Sequence, residues 1–322
     1  MIHFLCEDES YEVTSGTLET LQGLVKTLGP AFVDKSLERL MNALNTLLMN
    51  KGVCQTGNED DSDVDINGLI YGNITDLLPL LAKVLRDGFV PAYKIIHKSF
   101  RKFLDPKKGV DDISQAVGTL ANCAKYSPLL VQTFYEDLLP AMVKCLDLNE
   151  EIVNRNTAYA LGKFCEVGKE TIAPYYQDIM KALKQIFDTA TLEDTKDNAV
   201  AAIARMTYTQ PAKMPLNLVV PTIMGALPFK GDVQENKAAV KMIIFLLEQS
   251  NFCEFIISSL KLFLLDAQAL NGYEEKAITV LIDAVVNWSK YKLKEKYIKA
   301  CGVTLKALGN SNEQIKKIIE VI

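Results

Sequence analysis

The sequence predicts an all-α chain in which pairs of helices stack as an α-solenoid, and three observations predict it. Apolar residues recur at helical spacing, as in Leu138, Met142, Val143 and Leu146, or Ile179, Leu183, Ile186 and Phe187, while strand-like alternation is hardly seen. These segments run to about fifteen to twenty residues and are punctuated by "LGP", "LDPKKG", "YSP" and "QALNG". They also repeat. In "YEDLLPAMVKCL", "YYQDIMKALKQIF" and "LNLVVPTIMGAL" the equivalent residues Pro140, Met180 and Pro221 are 40 and 41 apart, and in the intervening helices Ala158, Ala199 and Val240 are 41 and 41 apart. A helix pair repeating at this period is the HEAT or armadillo signature: one pair cannot bury its apolar face alone and stacks on its neighbours.

With the first helix of each pair called A and the second B, the elements follow in order: B 9–28, A 31–49, B 67–86, A 89–104, B 111–126, A 130–147, B 150–167, A 171–187, B 193–209, A 214–227, B 233–249, A 252–265, B 273–290, A 293–308 and B 311–321. About seven HEAT-repeat pairs result, as one array over residues 1–322. "LLPLLAKVL" reads as an A helix in isolation, but Pro79 and Pro140 are 61 apart, one and a half periods, which assigns it to a B helix. The single long irregular segment is "NKGVCQTGNEDDSDVDING", residues 50–68, expected to be a mobile acidic loop because Glu59, Asp60, Asp61, Asp63 and Asp65 repel one another and offer little apolar surface.

Composition narrows the function classes. The 322 residues are 49% hydrophobic and 23% charged, a folded composition, with a net charge of -5 and a pI near 5.3. That balance disfavours nonspecific binding to nucleic acid or an anionic membrane and makes basic proteins the natural electrostatic partners. Seven scattered cysteines without a CxxC fit a reducing compartment, and two histidines, His3 and His97, all but exclude Cys/His zinc sites and Cys-His or Ser-His catalysis. The sequons at Asn73 and Asn287 carry no weight in such a protein. No N-terminal apolar targeting segment is visible, and runs such as "MIIFLL" are too short to span a bilayer, so a soluble protein is expected. The chain opens on a helix already under way, which suggests that Met1 is not a natural start.

Candidate chemistry is sparse. Asp61, Asp63 and Asp65 are not followed by the glycine and bidentate glutamate of a calcium loop, no phosphate-binding glycine motif occurs, and no carboxylate or nucleophile pair has a catalytic spacing, so neither an enzyme nor a metal or other cofactor is expected. Carboxylates open several B helices: Asp111 and Asp112, Glu150 and Glu151, Glu193 and Asp194, Asp232 and Glu235, Glu274 and Glu275. They complement the helix macrodipole, and in a solenoid they also line up as a row on which lysines and arginines of an extended peptide could rest. Asn154, Asn156 and Asn198 are poor helix formers in the first turns of their helices and either cap them or form a ladder that hydrogen-bonds a ligand backbone. Arg155 and Arg205 read as inter-repeat salt bridges or caps, Cys165 as a small packed hydrophobe, and Tyr273, Trp288, Tyr291 and Tyr297 as inter-helix packing.

Taken together, "DDISQAVGTLANCAKY", "LLPAMVKCLDLNEEIVNRNTAYALGKFCEVG" and "DTKDNAVAAIARM", followed by "MPLNLVVPTIMGALPFKGDVQENKAAV", resemble the importin-beta (karyopherin-beta) nuclear transport receptors, in particular the C-terminal repeats of the importin four and importin five type. The resemblance extends back through "LGPAFVDKSLERLMNALNTLLMNKGVCQ" and "DLLPLLAKVLRDGFVPAYKII" and covers essentially the whole chain. It implies an adaptor that shuttles between cytoplasm and nucleus through the nuclear pore and carries basic cargo, such as ribosomal proteins, histones or localisation peptides, with FG nucleoporins as further partners. Ran binding in that family lies mainly in N-terminal repeats, which this chain lacks. Carried over by position, its cargo-binding residues are Asn154 and Asn156, Asp194, Asp197 and Asn198, and Gln234, Glu235 and Asn236 on the inner, concave B-helix face. Relatives often have two adjacent acids where this chain has Gln234 beside Glu235. The alternative reading is a structural HEAT scaffold of a multi-protein complex with no part in transport.

Overall fold

A computed structural model describes residues 2–33, 35–56, 64–249, 273–287, 291 and 295–311. Among them every regular element is helical and no strand occurs. The chain divides into two compact units, Met1–Thr171 and Ile172–Ile322.

In the first unit the main helices are α1 (Tyr11–Leu28), α2 (Leu37–Leu48), α3 (Ile66–Leu85), α4 (Phe89–Arg101), α5 (Val110–Tyr126), α6 (Pro128–Lys144) and α7 (Glu151–Gly168). The B helices α1, α3, α5 and α7 lie side by side as one layer, and the A helices α2, α4 and α6 form a second. Such two-layer stacking is how amphipathic helix pairs that cannot close a core alone do so together. The core between the layers includes Phe89, Ile96 and Phe100 of α4, Leu120 of α5, and Ala158, Leu161, Phe164 and Cys165 of α7, all fully buried.

Local chemistry sets the helix ends. Ser10 caps α1 by accepting from Val13 N (3.1 Å), and Asp65 caps α3 by accepting from Gly68 N (2.9 Å). Asp65 is therefore the start of a helix rather than part of a loose loop; Glu59, Asp60, Asp61 and Asp63 lie outside the described residues. Gly29 ends α1 at φ 68. Asn149 adopts a left-handed conformation at φ 55 after α6, a region that asparagine tolerates better than most residues.

Pro79 sits inside α3, in the B layer as its spacing predicts. Proline has no N–H to give the carbonyl four residues back, here Thr75. Thr119 Oγ1 of α5 donates to that carbonyl at 3.2 Å, so the gap in one helix becomes a tie to the next. Residues 66–104 are apolar and long enough, by length and composition, to cross a membrane, but α3 and α4 fold apart at Arg86 (φ 55) and bury much of their apolar surface in the core.

The second unit contains α8 (Tyr176–Thr189), α9 (Glu193–Thr209), α10 (Leu216–Ala226), α11 (Asn236–Gln249), α12 (Glu274–Val286) and α13 (Glu295–Ser311). Here α9 is central, packing on α8, α10 and α11, and α11 packs in turn on α12 and α13. Several boundaries differ from the sequence reading where glycine, proline or a tight turn intervenes. The helix expected over 31–49 is split into Pro30–Val33 and α2, the one expected over 171–187 begins only at Tyr176 after 3-10 turns around Pro174, and the one expected from 233 opens as a 3-10 turn, Val233–Glu235. The helices expected at 252–265 and 311–321 lie outside the described residues, apart from Ser311, which ends α13. Tyr291, by contrast, is buried and donates its hydroxyl to Asp283.

The buried thiols are inert by this architecture. Cys123, Cys145 and Cys165 are fully buried, and burial pushes the Cys145 thiol up to about 11 and that of Cys123 further still. In the native chain at pH 7.4, these three should resist iodoacetamide while partly exposed Cys6 is labelled first; peptide mass mapping before and after urea unfolding checks the order.

Candidate functional site

The sequence reading places interest on the N-terminal halves of the B helices, and these are where consecutive B helices are stitched together. In the first unit Asn73 Nδ2 of α3 donates to Ser15 Oγ of α1 (2.8 Å), while Gln22 of α1 donates to the Asn73 carbonyl (3.1 Å). One step on, Thr75 Oγ1 meets Gln115 Oε1 of α5 at 3.3 Å. At the next, Asn156 Nδ2 of α7 donates to Ser114 of α5, to Oγ at 2.7 Å and to the carbonyl at 3.2 Å. The donors recur because the period puts the same turn of each B helix against its neighbour.

In the second unit the corresponding region is tighter. Asp197 Oδ2 of α9 accepts from the backbone N–H groups of Gly231 (2.7 Å) and Asp232 (3.0 Å). Burial raises the Asp197 pKa above the usual carboxylate range, and those two N–H groups draw it back. Asn198 donates to the Asp194 carbonyl (2.8 Å) and to Asp232 Oδ2 (3.1 Å). Asn236 closes its own turn, donating to the carbonyls of Phe229 (2.9 Å) and Val233 (3.1 Å) and accepting from Phe229 N (2.9 Å). Gly231 is required for steric reasons: a Cβ there would meet Asp194 N at 2.3 Å.

Beside this network Arg205 of α9 and Glu235, at the threshold of α11, form an ion pair and are 1% and 2% exposed. Lys237 Nζ approaches the other Glu235 oxygen at 3.9 Å. Arg205 is thus an inter-repeat bridge, as its position suggested.

Of the eight residues singled out by sequence, Asn154, Asp197, Asn198, Glu235 and Asn236 are buried, while Asn156, Asp194 and Gln234 are partly exposed. Asn154 is 3% exposed, with its Oδ1 unpartnered among the described residues, and Asn156 donates to Ser114 of α5. Helical periodicity located the face toward the partner A helix and missed the flank toward the next B helix. A signal for that flank was present in α9, whose "NAVAAIAR" is apolar or small on nearly every side, the pattern of a helix enclosed all round.

The solvent-facing charge at these helix starts is a different set. Asp65, Asp111 and Glu150 in the first unit, and Glu193 in the second, are exposed, with Asp112 half-buried. Burial raises the Asp112 pKa, and Asp65 and Asp111 add to the effect, with Lys108 opposing it. These three carboxylates therefore share one electrostatic environment at the starts of α3 and α5. Among the described residues, no group of three or more His, Cys, Asp or Glu side chains is placed to hold a metal ion.

No protein-family model matches the chain. It is 26% identical over 196 residues to the probable importin subunit beta-4 of Schizosaccharomyces pombe, covering 61% of this chain and 18% of that protein. It is 24% identical over 251 residues to human importin-4, covering 74% and 23% respectively, and 24% identical over 230 residues to mouse importin-4, covering 69% and 21%. The chain thus spans about a fifth of the length of these relatives. Among solved structures, its fold matches the karyopherin Kap121p bound to the SUMO protease Ulp1p with a TM-score of 0.67 at 16% identity, over 99% of this chain and 29% of that one. An engineered protein matches with a TM-score of 0.55 at 15% identity, over 99% of this chain and 69% of that one.

Arg205 and Glu235 are both enclosed, so removing the Glu235 carboxylate takes a counter-charge from a buried guanidinium. Glu235→Ala should cost about 3–5 kcal/mol, whereas Arg205→Met combined with Glu235→Leu should cost far less, since no charge is left buried. Urea unfolding of the two variants, followed by circular dichroism, measures the difference.

Proposed function

We propose that this chain, a HEAT-repeat protein of the importin-beta family, is the cargo-holding segment of a longer nuclear import receptor. In this reading residues 1–322 are one stretch of repeats in that receptor, it works in cytoplasm and nucleus, and it carries no reaction of its own. Its cargo is basic protein: a localisation peptide, a histone or a ribosomal protein. The observation that carries the reading is the set of exposed carboxylates at the B-helix starts, Asp65 and Asp111 together with half-buried Asp112, in a chain whose relatives are importins.

The mechanism is electrostatic and local. Each carboxylate belongs to a residue at or just before a helix's first turn, and Asp65 is held there by the Gly68 N–H, so the fold fixes where the negative charge is presented. A flexible basic segment gains several such contacts at once, and its on-rate rises because the field of the edge draws it in. The asparagines contribute by rigidity. With Asn156 tied to Ser114, and Asn198 to Asp232, the spacing between successive B helices is set before any ligand arrives. Asn156, Asp194 and Gln234, still partly exposed, are the singled-out residues best placed to reach a ligand directly. That a karyopherin of this fold has been solved with a protein ligand supports the same use here.

A fluorescein-labelled lysine-rich peptide should bind the chain in low salt with micromolar affinity, and binding should weaken at least about tenfold between 50 and 200 mM salt. Asp111→Asn combined with Asp112→Asn should weaken it by roughly fivefold, about 1 kcal/mol, without lowering the unfolding midpoint. Anisotropy equal to that of a neutral scrambled peptide at low salt would falsify the reading.

A further inference from the structure

The acidic chain carries a concentrated block of the opposite sign on and just after α4. Residues 94–108, "KIIHKSFRKFLDPKK", contain Lys94, Lys98, Arg101, Lys102, Lys107 and Lys108, with Asp105 as the sole carboxylate. The block is on the A layer, on α4 and the turn that leads from it to the start of α5.

Its lysines are presented rather than consumed. Lys94, Lys98, Lys102, Lys107 and Lys108 are all exposed. Arg101 is already used: its Nε meets Asp137 Oδ1 of α6 at 3.0 Å, and His97 Nε2 takes the other oxygen at 2.9 Å. Lys108 lies over the Phe103 ring, 4.9 Å from its centroid, and faces Asp112 across the turn. The carboxylate of Asp105 accepts from the backbone N–H of Lys107. That leaves Lys94, Lys98 and Lys102, with Lys107 beyond them, and none of these four has an ion-pair partner among the described residues.

A structural explanation covers part of the row. Cations near a helix C-terminus complement the macrodipole, which accounts for Lys98 and Lys102. It does not reach Lys94 in the middle of α4, or Lys107 past its end. The spacing is regular as well: residues four apart on a helix stand about 6 Å apart along its axis, so Lys94, Lys98 and Lys102 form a line of three charges on one strip. Alternate side chains of an extended peptide recur about every 6.6–6.8 Å. A strand with acidic residues at every second position would place a carboxylate near each lysine.

We propose that the outer face of α4 is a docking strip for an acidic, extended peptide segment of a partner protein, engaged through Lys94, Lys98 and Lys102. A nucleic acid is disfavoured by what surrounds the row. Phe100 and Phe103 are buried and Phe134 is half-buried and stacked on His97 at 4.3 Å, so no ring is offered to a base. The guanidinium of Arg101 is already engaged through its Nε by Asp137. The strip and the carboxylates of the B layer are of opposite sign, so the chain can hold acidic and basic partners at separate places.

The test uses the whole chain and a labelled peptide of alternating glutamate and serine, read by anisotropy at about 50 mM salt, where the Debye length is near 14 Å. Wild-type chain should bind it, and K94E/K98E/K102E should weaken binding at least tenfold. A second variant, K94Q/K98Q/K102Q, should give an intermediate loss; both should keep the wild-type circular dichroism spectrum, with the unfolding midpoint lowered only slightly, and more by the glutamates, through the lost helix-dipole complement of Lys98 and Lys102. Binding of the lysine-rich peptide should persist or strengthen in both variants, which separates this strip from the cargo edge. The proposal is overturned if the acidic peptide does not bind at low salt, if the triple variants bind it as the wild type does, or if a single-stranded oligonucleotide of equal charge displaces it at lower concentration.

Discussion

The structure depends on a constraint that stacking imposes on its B helices: each must lie with its polar first turns against the next helix in the layer. A polar group excluded from water there costs free energy unless it is paired, and the pairs have to recur with the period. The chain meets the constraint with Asn73 on Ser15, Asn156 on Ser114, Asn198 on Asp232, and the ion pair of Arg205 with Glu235. Apolar layers alone tolerate small shifts of one helix along another. A hydrogen bond of 2.7 Å tolerates almost none, so the polar ties fix the register of each repeat and with it the positions of the exposed side chains beside them.

The same constraint explains how far the sequence could be read. Helix positions and the period follow from apolar spacing and from the residues between helices, and even the placement of Pro79 in a B helix followed from counting, because a proline in the wrong layer would break the repeat. Asp65, read from the sequence as part of the acidic loop, instead caps α3. The roles of Asn154, Asn156 and Asn198 were not legible in the same way. A 3.6-residue period reports the stripe that faces the partner in a pair, but the flank facing the next repeat is set by the superposition of successive pairs, which no single helix encodes. Arg205 was the better clue, since it lies seven residues after Asn198, on the same strip of α9, and a charge beside that enclosed strip needs a buried partner.

Charge is distributed by the same geometry. Paired helices run antiparallel and are joined by short turns, so the C-terminus of an A helix and the N-terminus of the following B helix emerge at one end. The macrodipole favours cations at the first and carboxylates at the second, and α4 with α5 follow that rule, Lys98 and Lys102 closing one helix, Asp111 and Asp112 opening the next. The charge of Lys108 acts on Asp112 across the turn between them, opposing the rise in its pKa.

The two charged surfaces are therefore neighbours and yet distinct. At the turn the two fields oppose one another, so Lys107 and Lys108 weaken, without abolishing, the pull of Asp111 and Asp112 on a basic ligand. Farther out along each layer the opposition fades: Lys94 lies two helical turns from Lys102, and Asp65 opens a different helix from Asp111. An acidic segment is thus drawn toward Lys94, at the far end of the strip on α4, and a basic one toward the B-helix starts, where Asp65 adds to Asp111 and Asp112. An acidic fold with a net charge of -5 can in this way present a local cationic strip, because what a ligand senses is the field within a few ångströms of the helix that carries it.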